Sequence, residues 1–187
     1  MQVLNGKIYM SKRTATASTT NNPKNYHPTP FEAALPLARI LPPFTRYDEP
    51  CAADGQLIDH LSRWGHQCVT ACDVLPKAAG IMMMDATALP RDRMVITNPP
   101  FAWPLLKPLM DHWVGHVPTW LLLPWDMPAN LYMVPYAAHI DRILPLGRVS
   151  WMRNGQGGMD NYGWYRFSVE PHGLVLPRMK QCNTVGS

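Results

Sequence analysis

The residues best suited to chemistry in this sequence stand where four predicted strands end. They are the loop Glu49–Gly55, the acids Asp73 and Asp85, and the tetrapeptide Asn98–Phe101. An acid behind a strand is often only a helix cap, and Asn-Pro-Pro could be a turn. The four features nevertheless follow consecutive strands, and ligands of an open parallel sheet bind outside the carboxyl ends of its strands. The spacing therefore predicts one binding site at one edge of a sheet.

The predicted strands and helices that would bring these residues together alternate along the chain. Strands are predicted at Arg46–Ala52, Gln67–Asp73, Gly80–Asp85, Met94–Thr97 and Thr119–Leu123, and helices at Phe31–Leu41, Gly55–Trp64, Trp103–Val114 and Asn130–Ile140. Strands separated by single helices imply right-handed crossovers and a mostly parallel sheet with helices on both faces. Extended runs at Arg148–Trp151 and Trp164–Val169 predict a C-terminal antiparallel hairpin at the end of the sheet. The fold class expected is α/β.

Length and composition fit one domain with a tail at each end. The chain has 187 residues, of which 47% are hydrophobic and 16% charged, so a disordered protein is excluded. Residues 1–25 are predicted to be a flexible tail, 26–170 the domain and 171–187 a second tail. No apolar run is long enough to span a membrane, and the N-terminus lacks the apolar stretch of a secretion signal.

The net charge and the cysteines indicate which polyanions and metal ions the chain could bind. The net charge of +4 permits a polyanionic partner without requiring one. Cys68 and Cys72 resemble a metal-binding pair, but Cys51 and Cys182 do not form a second pair that could complete a tetrahedral site. The sequence therefore predicts buried free thiols, a reducing cytoplasm and no metal.

Several motifs together carry a resemblance to a known family over residues 26–169. They are Tyr26–Pro30, Glu49–Gly55, Asp73, Asp85 and, most specifically, Asn98–Phe101. With them the chain resembles the Rossmann-like S-adenosylmethionine-dependent methyltransferases that modify the amino group of adenine in DNA. A chain too short for a separate target-recognition domain is similar to the compact phage and prophage enzymes of this type, which implies the cytoplasm of a bacterial host.

The chemistry that the resemblance implies suits the tetrapeptide. The amino group of adenine is a poor nucleophile because its lone pair is delocalised into the ring, and acceptors for both of its N–H groups would favour a tetrahedral nitrogen. The Asn98 side-chain oxygen and the Pro99 carbonyl could be those acceptors. Pro99 and Pro100 would stiffen the backbone, and Phe101 offers a flat face for an unstacked base.

The resemblance also implies how the cofactor S-adenosylmethionine is held. Asp73 corresponds to the acid that accepts bonds from the ribose hydroxyls, and Asp85, with the backbone of Ala86, to the pair that binds the adenine amino edge. Thr29 would close the pocket from the N-terminal side, and Asn98 is also expected among the cofactor-binding residues. The methionine part would be wrapped by loop residues Glu49, Cys51, Ala53 and Gly55.

One loop residue departs from the family pattern. Ala53 stands at the first glycine of the family's Gly-x-Gly cofactor loop, of which Gly55 is the second. An alanine can make this tight turn if its φ stays negative, although its methyl group takes space near the cofactor.

Nucleic-acid contacts are expected from the C-terminal hairpin. Between Gly147 and Phe167, arginines are interleaved with aromatic and amide side chains, and the loop itself is too polar and Gly-rich to belong to the core. Arg153 is predicted to contact phosphate and Arg148 to help position the strand. DNA is thus the expected partner.

Three functions remain open at this point. The first is methyl transfer to adenine in DNA. The second keeps the chemistry but changes the acceptor to adenine in RNA, cytosine in DNA or a glutamine amide in a protein, because all present a planar NH₂ group. The third is a cofactor-binding subunit without catalysis, which would not need the acceptors of Asn98–Phe101.

Overall fold

The computed structural model describes residues 27–151 and 160–172, together with the backbone of two short strands, Gln2–Leu4 (β1) and Lys7–Tyr9 (β2). These two strands pair antiparallel with each other inside the segment predicted to be a tail. Arg153, the predicted phosphate contact, lies outside the described residues.

Seven strands form one mixed sheet in the order β5-β4-β3-β6-β7-β9-β8. They are Arg46–Glu49 (β3), Gln67–Asp73 (β4), Met82–Met83 (β5), Val95–Thr97 (β6), Thr119–Pro124 (β7), Ile140–Arg148 (β8) and Asn161–Phe167 (β9). Strands β3 to β7 pair in parallel, whereas β9 pairs antiparallel with both β7 and β8. The predicted α/β class and the C-terminal hairpin are confirmed, and the topology is consistent with a Rossmann-like fold.

Helices cover both faces of this sheet. They are Phe31–Ile40 (α1), Gln56–Ser62 (α2), Trp103–Trp113 (α3) and the single turn Val134–Ala137 (α4). On one face α1 and α2 pack against Leu122 of β7, and on the other α3 packs against Leu121. Because successive strand residues point to opposite faces, the apolar run of β7 serves both cores.

Two predicted elements are wrong in extent. The strand predicted at Gly80–Asp85 is reduced to Met82–Met83, because it pairs with β4 only through Cys72 and Asp73, and because Asp85 begins a 3-10 turn. The helix predicted at Asn130–Ile140 is instead a series of short turns ending in α4. Pro135 prevents a continuous helix from Asn130, since proline has no N–H to donate to the preceding helical turn, and it lies instead in the first turn of α4.

The hairpin also begins earlier than predicted. Its first strand, β8, starts at Ile140 rather than at Arg148, and Val149–Trp151 lies beyond its end. The chain therefore enters β8 directly after α4. No helix in the described part of the chain is long and apolar enough to cross a membrane.

The sheet order creates a natural binding crevice. From β3 the chain moves outward to β4 and β5, and it then crosses back so that β6 lies on the other side of β3. The connections after β3 and β6 thus diverge to opposite faces of the sheet. In open α/β sheets, ligands bind at such a switch point, outside the carboxyl ends of the strands.

Candidate active site

A cleft of about 390 Å³ opens at this switch point, a size typical of small-molecule sites. Most of the residues predicted for the site line it: Thr29, Glu49, Cys51, Ala53, Asp73, Asp85, Ala86, Asn98, Pro99, Pro100 and Phe101. Gly55 and Arg148 are not among the lining residues. The fold thus brings together side chains that are separated by up to about seventy positions in the sequence.

The loop after β3 is tied to the end of β4. The Ala53 N–H donates to Asp73 Oδ2 at 2.9 Å, and the Ala53 carbonyl accepts from the Lys77 N–H at 2.8 Å. The turn closes with a 2.7 Å bond from the Gly55 N–H to the Ala52 carbonyl. These contacts fix the backbone that forms one wall of the cleft.

This wall contains an unusual backbone conformation. Gly55 has φ +79° and Ala53 has φ +47°, so both are in the left-handed region. The negative φ under which an alanine would make this turn without strain is not what Ala53 adopts, because its bonds with Asp73 and Lys77 hold the turn in a glycine-like geometry. An L-residue in this region costs about 1–2 kcal/mol.

The cleft is strongly acidic. Four carboxyl side chains line it, those of Glu49, Asp54, Asp73 and Asp85, and no lysine or arginine is among the lining residues that the structure describes. Such a lining disfavours phosphate groups, which Rossmann-like dinucleotide sites must hold, and favours a ligand that carries positive charge.

Glu49 is the most deeply placed of these acids. Its side chain is 2% exposed, and its Oε2 atom is buried without a hydrogen-bond partner. Burial, together with the negative charges of Asp73 and Asp54, raises the pKa of Glu49 well above its ordinary value. A donor from a cationic ligand would satisfy Oε2 and oppose each of these effects.

Asp73 and Asp85 keep acceptor capacity toward the cleft. Asp73 Oδ1 accepts from the Leu75 N–H at 2.8 Å. Asp85 Oδ1 caps a 3-10 turn by accepting from the Thr87 N–H and hydroxyl at 2.8 and 2.7 Å. Asp85 is therefore a turn cap as well as a cleft residue. Because each ionised carboxylate offers about four lone-pair positions, both acids can accept further bonds.

Asn98 lies directly behind β6 with its carboxamide in a defined orientation. Its Nδ2 donates to the His27 carbonyl at 2.9 Å and to Thr29 Oγ1 at 3.2 Å. Its Oδ1 is buried without a hydrogen-bond partner. Threonine is a common N-cap residue, but the N-cap of α1 is Pro30 and no side chain caps that helix. The Thr29 hydroxyl instead accepts a hydrogen bond from Asn98 Nδ2.

Phe101 belongs to a cluster of four aromatic rings beside Asn98. The His27 ring stacks on it with centroids 6.2 Å apart and an interplanar angle of 10°. Tyr162 lies 5.7 Å and Trp151 6.3 Å from Phe101, and Trp151 and Tyr162 meet edge to face at 5.0 Å. These three neighbours were not predicted for the site, although His27 stands inside the motif Tyr26–Pro30.

The three cysteines that the structure describes, one of which lines the cleft, are protonated thiols. Burial, followed by the charge of Asp73, raises the pKa of Cys51 well above its ordinary value. Burial also raises the pKa of Cys68 to about 12 and that of Cys72 to about 11. Thiols in this state are poor nucleophiles. Within residues 27–151 and 160–172 there is no cluster of three or more His, Cys, Asp or Glu side chains that could hold a metal ion.

Arg148 lies at the same sheet edge as the cleft but outside it. It is the last residue of β8 and pairs with Asn161 of β9. Since β8 and β7 are both antiparallel to β9, they run in the same direction and their carboxyl ends share an edge. The exposed Arg148 side chain is thus available to a ligand that extends beyond the cleft.

Some cleft residues were not predicted for the site. Val74 and Leu75 line it directly behind Asp73, and Leu109 lines it from α3. Both Val74 and Leu75 are exposed, because these apolar residues follow the acid at the end of β4 and lie outside the hydrophobic core. That pattern is visible in the sequence, whereas the contribution of α3 is not.

No protein-family model and no curated protein matches this chain.

Proposed function

We propose that this protein transfers a methyl group from S-adenosylmethionine to the exocyclic amino group of adenine in DNA. The observation that carries the proposal is the buried, unpartnered Oδ1 of Asn98, an acceptor fixed beside the aromatic ring of Phe101 and next to an acidic cleft. The acceptor suits an amino group, the aromatic ring suits a flat base, and the acidic cleft suits a cationic cofactor.

The cleft residues fit the cofactor. S-adenosylmethionine, when bound, supplies an electrophilic methyl group on a positively charged sulfonium. The four carboxyl groups suit that charge and the cofactor's ammonium group, and Oε2 of Glu49 is a buried acceptor without a partner. By the resemblance, Asp73 would accept from the ribose hydroxyls and Asp85 would face the adenine edge. Val74 and Leu75 supply apolar surface for a ring.

The residues behind β6 would activate the acceptor. Asn98 Oδ1 and the Pro99 carbonyl would accept the two N–H groups of the amine, which withdraws its lone pair from the ring. As the nitrogen gains positive charge during attack, the same two dipoles stabilise it. Phe101 would hold the base by stacking, at a gain of about 1–3 kcal/mol. The positively charged product then loses its extra proton to solvent.

The aromatic surroundings favour a nucleobase over an aliphatic amide. A glutamine side chain presents a similar NH₂ group but gains little from rings around Phe101, whereas a flat base stacks on them. Adenine in RNA and cytosine in DNA share the planar amine. They are therefore alternative outcomes of the same experiment.

The test is to incubate the protein with S-adenosylmethionine labelled in its methyl group and with DNA, RNA and protein acceptors. The three pools are then separated, and the modified residue is identified by mass spectrometry. The proposal predicts label in DNA as N6-methyladenine. Asn98→Ala should abolish most of this label, whereas Asn130→Ala, a matched asparagine away from the cleft, should retain it. Label found only in RNA or protein would replace the proposed acceptor, and no label in any pool would reject the activity.

A further inference from the structure

The segment His27–Thr29 makes a contact that the proposed chemistry does not explain. It lies seventy positions before Asn98 in the chain, yet both N–H groups of the Asn98 carboxamide are directed at it. We propose that Thr29, together with the His27 carbonyl, is a positioning element that orients the Asn98 carboxamide so that Oδ1 is the atom left for the methyl acceptor. This inference rests on the proposed function.

The partner atoms determine the orientation of the carboxamide. A backbone carbonyl can only accept a hydrogen bond, so the Asn98 atom 2.9 Å from the His27 oxygen must be the amino nitrogen. A flipped carboxamide would place Oδ1 at that distance from the His27 oxygen, and because neither oxygen can donate, that bond would be lost. Thr29 Oγ1, 3.2 Å from the same nitrogen, takes its second N–H group. Both donors are thus occupied and only the acceptor remains.

The local sequence makes Thr29 a rigid partner. It stands between Pro28 and Pro30, and a residue before proline is restricted to extended backbone. Its branched side chain has few rotamers, and it is 4% exposed. Because no side chain caps α1, the hydroxyl of Thr29 is not used in the way common for a threonine before a helix.

Asn98 Oδ1, the atom left without a partner, is suited to accept a hydrogen bond from the amine that receives the methyl group. Asn98 Oδ1 is buried and has no hydrogen-bond partner, and a buried acceptor in that state is unfavourable until a donor reaches it. An N–H group of a bound amine would supply that donor. Orientation in advance also means that no reorganisation is needed as charge develops on the nitrogen. Loss of the Thr29 hydroxyl should therefore affect turnover more than binding of the cofactor.

The first measurement does not depend on activity. In ¹⁵N-labelled protein, the Asn98 side-chain NH₂ signal is assigned by its absence from Asn98→Asp, and its hydrogen exchange is followed. The inference predicts slow exchange in the wild type and in Thr29→Ser, and faster exchange in Thr29→Val, which keeps the shape but has no hydroxyl. Equal exchange in the wild type and Thr29→Val would overturn the orienting role.

The second measurement tests the consequence for catalysis. Thr29→Val should lower kcat by roughly tenfold while the cofactor Kd and the melting temperature change little, and Thr29→Ser should restore turnover. In an Asn98→Ala background, Thr29→Val should have no further effect, because the group that it positions is gone. Independent, multiplicative losses would contradict the inference. If the wild type modifies no acceptor at all, the proposed function fails, and the exchange measurement still decides whether Thr29 orients Asn98.

Discussion

The backbone N–H of Ala53 donates a 2.9 Å hydrogen bond to the Asp73 carboxylate, which joins the loop after β3 to the end of β4 across twenty sequence positions. The same bond helps to keep Ala53 at φ +47°. The Asp73 carboxylate thus shapes the cleft wall and also faces the cleft. The fold and the proposed cofactor site are coupled through this contact.

The strained alanine leads to a stability prediction. Ala53→Gly should raise the free energy of unfolding by about 0.5–1 kcal/mol, because relief of the left-handed strain exceeds the entropy that glycine loses on folding. Ala79→Gly is the control, since Ala79 is exposed and is not among the residues with positive φ. It should lower stability instead. Urea unfolding of both variants shows whether each substitution raises or lowers the free energy of unfolding. A loss of stability in Ala53→Gly would contradict the left-handed conformation of Ala53.

Asp73 should be required for cofactor binding. Asp73→Ala should weaken S-adenosylmethionine by about 1.5–3 kcal/mol, the usual value of hydrogen bonds to a charged group. Asp92→Ala is a matched control because Asp92 is exposed and lies outside the cleft. Calorimetric titration of the three proteins gives the comparison. If Asp73→Ala binds as tightly as the wild type, Asp73 is not part of the cofactor site.

The buried Glu49 predicts a pH-dependent stability. Its pKa is raised in the folded state, so the folded protein holds a proton that the unfolded chain releases at lower pH. The wild type should therefore lose stability relative to Glu49→Gln as pH rises from about 4.5 through the raised pKa. Thermal unfolding of both proteins from pH 4 upward tests this, with cofactor absent. A constant difference across pH would mean that Glu49 has an ordinary pKa.

Cofactor binding should partly reverse this effect. If the cofactor's ammonium group bonds Glu49, the ionised carboxyl is stabilised and its raised pKa falls. Saturating S-adenosylmethionine should then stabilise the wild type at neutral pH more than it stabilises Glu49→Gln. An equal shift in melting temperature for both proteins would remove Glu49 from the contact with the ligand.

Arg148 and Arg142 form a natural pair for testing DNA binding. Both are exposed on β8, but Arg148 is at the cleft edge of the sheet and Arg142 is near the opposite edge. Arg148→Ala should make the plot of log affinity against log salt shallower by roughly one unit, as expected for one lost phosphate contact. Arg142→Ala should leave the slope unchanged. Identical slopes in all three proteins would move DNA binding away from this end of β8.

The sequence predicted the ends of β4 and β6 correctly, because Asp73 marks the first and an Asn-Pro pair follows the second. Asn130–Ile140 was misassigned because its apolar spacing resembles a helix, whereas Pro135 removes a backbone hydrogen bond that a continuous helix would need. The conformation of Ala53 depends on Asp73, and the stack of His27 on Phe101 joins distant parts of the chain. Such tertiary contacts leave no local signal in the sequence.

Methyl transfer to the adenine amino group through Asn98 can be tested by measuring a single quantity. N6-methyladenine formed in DNA is counted by mass spectrometry per molecule of wild-type protein and of Asn98→Ala, at saturating S-adenosylmethionine. The wild type should produce N6-methyladenine, and Asn98→Ala should be about 100-fold slower or worse with nearly unchanged cofactor affinity. Turnover by Asn98→Ala above about a tenth of the wild-type rate would contradict the mechanism, and an absence of N6-methyladenine from the wild-type reaction would contradict the function.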